Sequence, residues 1–281
     1  MRKPAMVLLS MLLACGGCGW MKMPKVKLSE DKPEVKVQKR IAVVLRGGDD
    51  VKFYRAMSEL TEVSRDQGWD AQRLLNEVID YYGRIDSNNE LAVYYRLLET
   101  LKAPRSAMVA AAAPKLEAGG ANQEICKTIL TWASPGDGRG RTDFAAFATY
   151  LQQAQAPSSL VLWMYERDPG AALWQIVAIY GDRMDIADRQ NLALAEHVIS
   201  EILWRQQRGL LKPDQFEGAA ADQLEVLSKY REWYVKLYVA QVLATYPRLA
   251  KDGVAERLAA DGHPLVSRVG KSIRRPTTRP A

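Results

Sequence analysis

The segment 231–246 constrains this chain most. Trp233, Tyr234, Val235, Leu237, Tyr238, Val239, Ala240, Val242, Leu243 and Ala244 leave only a thin polar stripe through Glu232 and Lys236. A helix that is apolar around most of its circumference needs neighbours on most sides. It must be the central helix of a bundle or a helix sandwiched in a stack. Helical spacing recurs through the rest of the chain, as in Leu91, Tyr94, Tyr95, Leu98 and Leu101 behind the capping pair Ser87 and Asn88. Prolines 104, 114, 135, 157, 169, 213, 247 and 264 fall mainly at the edges of such runs, where a missing amide hydrogen costs little. Only Ile41 to Leu45, before Arg46-Gly47-Gly48, has an extended character, and it serves equally well as part of a first helix. The expected fold class is all-α.

Within that class, Val235-Lys236-Leu237-Tyr238-Val239-Ala240, the turn Tyr246-Pro247, and Asp261-Gly262-His263-Pro264-Leu265-Val266-Ser267-Arg268 resemble HEAT-like repeats. Members of that family pair helices around a proline-containing turn, and the second helix opens on a Val-Arg pair preceded by Asp. Val235 and Val266 lie 31 residues apart, and so do Trp132 and Trp163. The resemblance implies helical hairpins stacked as an α-solenoid, regular or irregular, over residues 41–273. A non-repeating helical domain is the alternative. Trp233, Lys236 and Arg268 are then the candidate residues of an interaction helix, because stacked helices make grooves suited to peptides and partner helices.

The amino terminus carries a different signal. Arg2 and Lys3 precede the apolar run Met6 to Leu13, which is too short to span a bilayer. It ends in Leu12-Leu13-Ala14-Cys15, which resembles a bacterial lipobox. That resemblance implies a signal peptide at 1–14, fatty acylation of Cys15 by chains such as palmitate, and a membrane anchor without a transmembrane helix. Gly16, where an aspartate would favour the inner membrane, points to the outer membrane, facing the periplasm. Cys15 and Cys18 also form a Cys-x-x-Cys pair, but a redox pair needs an activated thiolate at a helix start in a folded domain. Residues 15–40, rich in lysine and punctuated by proline, read as a flexible basic tether, and 274–281 read as a disordered basic tail.

Charge separates along the same boundaries. The whole chain has a formal net charge of +6, yet residues 41–273 hold 27 Lys and Arg against 30 Asp and Glu. The basic excess sits at the ends rather than on the body, which argues against a nucleic-acid partner.

A search for chemistry yields few candidates. His197 and Glu201, four residues apart, could present two ligands on one helix face, but no HExxH or Cys/His cluster completes a metal site. Cys126 lies among Ile125, Ile129 and Leu130 and reads as a small core residue. The loop Gly138, Arg139, Gly140 and Arg141 is the candidate for a small anion, since glycines admit close backbone approach and the arginines donate charged hydrogen bonds. No GxSxG or other nucleophile motif occurs. The expectation is a protein with no catalytic residues, metal or cofactor: a non-enzymatic, membrane-anchored lipoprotein that serves as an interaction scaffold for an envelope protein. The alternative is an envelope glycan- or small-ligand-binding protein, or an enzyme, with an unrecognised helical fold.

Overall fold

The computed structural model describes residues 32–85, 88–136, 141–154, 158–210 and 213–273, with the side chains of 213–216 excepted. Among them the chain is all-α: fourteen α-helices, three short 3-10 turns and no strand beyond an isolated bridge between Gly136 and Thr142. Cys15, Cys18 and the tail from 274 lie outside the described residues, as does Ser87, proposed as a cap.

The folded body begins earlier than the sequence suggests. Helix α1 spans Pro33–Leu45, so the segment 33–40, expected to be tether, is helical and buries Val37 together with Ile41, Val44 and Leu45. Val37, Ile41 and Val44 form an i, i+4, i+7 stripe, while Lys36 and Lys39 on the other sides give the segment its tether-like composition. The same helix absorbs Ile41 to Leu45, which is not extended. Helix α2 (Asp50–Asp66) packs antiparallel on α1 and is capped by Asp49, which accepts from the Lys52 amide at 2.9 Å. Asp70 does the same for α3 (Ala71–Tyr82), accepting from the Arg73 amide at 2.7 Å. Helix α4 (Asn88–Leu101) is joined to α3 by the Tyr94 hydroxyl, which donates to the buried carbonyl of Val78 at 2.7 Å.

Helix α5 (Arg105–Ala118) lies closest to α6 (Gln123–Ala133), and Ala111, Ala112 and Ala113 are fully buried there. Small side chains let the two backbones approach. Pro114 was expected at a helix edge, but α5 continues through it to Ala118. Contacts of the alanine stretch with α3 and α6 offset the hydrogen bond that proline removes. Helix α7 (Ala148–Gln153) is short, and α8 (Ser158–Arg167) follows with six consecutive buried residues, Leu160 to Tyr165.

The carboxy-terminal half is a ladder of neighbouring helices. Helix α8 packs on α9 (Pro169–Tyr180), α9 on α12 (Trp233–Thr245), and α12 on α14 (Pro264–Gly270), with α13 (Val254–Ala259) against α14. Helices α10 (Ile186–Gln207) and α11 (Pro213–Leu227) form a long antiparallel pair at its side. Helix α12 buries Tyr234, Val235, Leu237, Tyr238, Val239, Ala240, Val242 and Leu243 among five other helices, as its apolar circumference requires. The Tyr165 hydroxyl ties α8 to its start, donating to the Tyr234 carbonyl at 3.0 Å. One continuous hydrophobic core runs from Val37 to Ile273.

Candidate functional site

A cleft of about 400 Å³ lies where the start of α9, the middle of α10 and the body of α12 meet. Asp168 builds one wall. As N-cap of α9 it accepts from the Ala171 amide at 3.0 Å, and its other oxygen accepts from the Thr142 amide at 2.8 Å. This second bond fastens the incoming chain, and with it Arg141, to the helix start. Arg105 secures the same chain from below, reaching Asp143 at 2.6 Å and the Ala133 carbonyl at 3.0 Å.

Glu196 forms the floor. It projects from the buried side of α10 and retains only 3% of its accessible surface. Its hydrogen bonds come from the Trp174 indole at 3.1 Å and from the Ser200 hydroxyl, rather than from a cation. Gly170 makes the arrangement possible. A Cβ there would stand 2.7 Å from a Glu196 oxygen, so the carboxylate would have to shift from its present position to accommodate a larger residue. Beneath lies Tyr238 of α12, whose phenol is pushed well above its ordinary pKa by burial and then by the charge of Glu196, with a Ser200 hydrogen bond acting in the opposite direction. The three side chains form a polar line, Tyr238 to Ser200 to Glu196, inside an otherwise apolar seam of Leu203 and Val242.

The rim is mixed in charge. Arg141, Arg167, His197, Glu201, Trp204 and Gln207 line it. Glu201 pairs with Arg205 at 2.6 Å and Gln207 donates to the Tyr246 hydroxyl at 3.0 Å. Arg208, outside the cleft, stacks over the Trp204 ring at 4.4 Å, and Trp204 stays 41% exposed.

The candidates named from sequence are distributed unevenly about this site. Of the anion loop, Arg141 reaches the cleft, whereas Gly138, Arg139 and Gly140 lie outside the described residues. His197 and Glu201 do share the rim, but no group of three or more metal-ligating side chains exists among the described residues. Trp233 and Lys236 face inward to partners of their own. The Trp233 ring stacks on His263, and Lys236 pairs with Asp261 at 2.7 Å with both side chains largely covered. These contacts join α12 to the turn before α14. Arg268 is exposed on α14. Cys126 is fully buried, and burial pushes its thiol up to about 11. Sequence reasoning missed Glu196, Ser200, Asp168, Arg167 and Tyr238. The one available signal was an acid on the apolar side of α10, in phase with Leu192, Ile199 and Leu203.

Comparison with protein-family models, with curated proteins and with solved structures gives no match. Among the described residues, no helix is long and apolar enough to cross a membrane.

Proposed function

We propose that this protein is a lipid-anchored envelope scaffold without enzymatic activity, held to the outer membrane through Cys15 and binding another envelope protein through its helical body. The anchor rests on the lipobox-like Leu12-Leu13-Ala14-Cys15 and the basic head before it. The HEAT-like reading draws support from α12 and α14. Both open on the motif positions 31 residues apart and lie side by side, as equivalent helices of adjacent repeats do.

The observation that carries the scaffold is the outer face of α10. Ile186, Leu194 and Trp204 are exposed there, and Leu210 just beyond the helix is exposed too. Ile186 and Trp204 are separated by about five turns and so stand in line, with Ala193, His197 and Arg208 within the same arc. The apolar groups are interspersed with His197 and Arg208. Such a strip of about 33 Å matches the apolar face of an amphipathic helix with polar flanks, the helix-in-groove mode of recognition. The occupant is therefore a helical segment of an envelope protein.

The test is crosslinking in intact cells, comparing the native protein with Cys15→Ala and Leu194→Glu variants, and following incorporation of labelled palmitate. The expected result is one co-purified envelope protein, lost in both variants, and label that Cys15→Ala abolishes. Recovery of bulk lipoproteins alone would refute the scaffold, and label retained by Cys15→Ala would refute the anchor.

A further inference from the structure

We infer that the cleft between α9, α10 and α12 is a binding site for a neutral, hydroxyl-rich ligand, a saccharide unit. This goes beyond the scaffold and does not depend on it: His197 and Trp204 border both surfaces, but Leu194, whose substitution tests the scaffold, does not line the cleft, and Glu196, which tests the cleft, is buried on the inward side of α10.

The first argument is what the cleft keeps fixed. A carboxylate removed from water without a cation is costly, and the cost is offset only by hydrogen bonds. Glu196 has two, from Trp174 and Ser200. Each carboxylate oxygen has two lone pairs, so acceptor capacity remains on the cleft side. Gly170 lets the carboxylate sit where any larger residue would displace it. A polar group held this rigidly has its ordering cost already met before a ligand arrives.

The second argument is charge. Arg141 and Arg167 stand against Asp168, Glu196 and Glu201 around one cavity. A ligand of either single sign meets opposition there: an anion faces Glu196 and a cation faces the arginines. The start of α9 offers an anion little, because Pro169 has no amide hydrogen and the Ala171 amide already donates to Asp168. A hydroxyl, which donates one bond and accepts two, can use a carboxylate, a guanidinium, the Gln207 amide and the Ser200 hydroxyl without a net charge of its own.

The third is shape. A volume of about 400 Å³ falls within the roughly 300–1,000 Å³ of small-molecule sites. Trp204 lines the cavity, and Arg208, which does not, stacks over its indole ring. An aromatic face beside converging carboxylate, guanidinium and amide groups suits a sugar ring, which has an apolar C–H face and a polar edge. Leu203 and Val242 extend the apolar side.

The experiment uses the full-length protein in detergent micelles on a printed array of neutral hexose and N-acetylhexosamine oligomers, uronic-acid oligomers and sulfated oligomers, followed by calorimetric titration of the strongest binder. The expected result is saturable binding of a neutral oligomer with a dissociation constant at or below about 1 mM. Trp204→Ala and Glu196→Gln should each weaken it at least tenfold while thermal unfolding stays cooperative, and Arg268→Ala should leave it unchanged. Trp204 is exposed, so its substitution tests the site even if Glu196→Gln compromises folding. Binding to none of the array, binding confined to sulfated or uronic-acid oligomers, or affinity indifferent to Trp204→Ala would each overturn the proposal. Loss of the crosslinked envelope protein would leave it untouched.

Discussion

The Trp233 indole and the His263 imidazole are stacked, with centroids 4.5 Å apart and planes 5° from parallel. This contact closes the corner between α12 and the turn that opens α14. Burial lowers the His263 pKa, the Asp261 charge opposes that shift, and Lys236 adds to it. The ring's Nδ1 is buried without a hydrogen-bond partner. The folded state therefore favours neutral His263, and the unfolded chain takes up the proton more readily. The resulting stability is fully present above the ordinary histidine value of 6.5 and is lost as pH falls below it toward the lower folded value. Thermal unfolding followed at neutral and mildly acidic pH should show a lower midpoint in acid. In His263→Phe, which keeps an aromatic ring in the stack, that drop should shrink.

Beside the stack, Lys236 and Asp261 are joined at 2.7 Å. Burial pulls the Asp261 carboxyl upward, but the Lys236 hydrogen bond, the His263 amide and neighbouring charge together bring it below its usual value. Lys236→Met leaves that acid without its cation in a mostly covered place, at a cost of roughly 1–3 kcal/mol. Urea unfolding of Lys236→Met, Asp261→Asn and the double variant should give a smaller loss for the pair than for the sum of the singles. Simple additivity would show that the ion pair is not coupled.

Gly270 marks the tightest crossing of the carboxy-terminal helices. A Cβ there would lie 2.5 Å from both the Ala259 nitrogen and the Leu258 carbonyl carbon, and these are backbone atoms that cannot rotate aside. Gly270→Ala must separate α13 from α14 and should destabilise the protein by at least the roughly 1–3 kcal/mol typical of overpacking. Gly262, with open space around its Cβ position, is the control, and Gly262→Ala should stay within about 0.5 kcal/mol of the native protein in the same denaturant titration.

Cys126 should behave as a core residue rather than a reagent. Its thiol is raised to about 11 mainly by burial, the nearby Lys115 opposing in part, and the residue is 0% exposed. In a Cys15→Ser, Cys18→Ser background at pH 8, a thiol-reactive dye should label nothing until denaturant is added, then one equivalent. Rapid labelling of the native protein would place the thiol at the surface.

How much of this was legible in the amino-acid order differs from helix to helix. Helix α12 announced itself because its apolar residues run around most of the cylinder and require neighbours on most sides, which five helices supply. Helix α1 did not, because lysines on its outer side lend it the composition of a linker while Val37, Ile41 and Val44 do the packing. The cleft was less legible still. Its walls come from Asp168, Glu196 and Tyr238, which stand far apart in the chain, and one acid among the 33 of the sequence is singled out only when Gly170 and Trp174 are brought over it. Local periodicity carries no information about that encounter. The contacts of Trp233 and Lys236 were hidden for the same reason, since their partners His263 and Asp261 lie beyond the next helix.

Asp168 holds two amides that are 29 residues apart in the chain, those of Thr142 and Ala171. The strand of backbone carrying Arg141 is thereby latched to a helix cap. To move the backbone at Arg141 away from the cleft mouth, the molecule must uncouple the Thr142 amide from the same carboxylate that caps the first turn of α9, where Gly170 lies against Glu196. The rim and the floor of the cleft thus share one hinge pin.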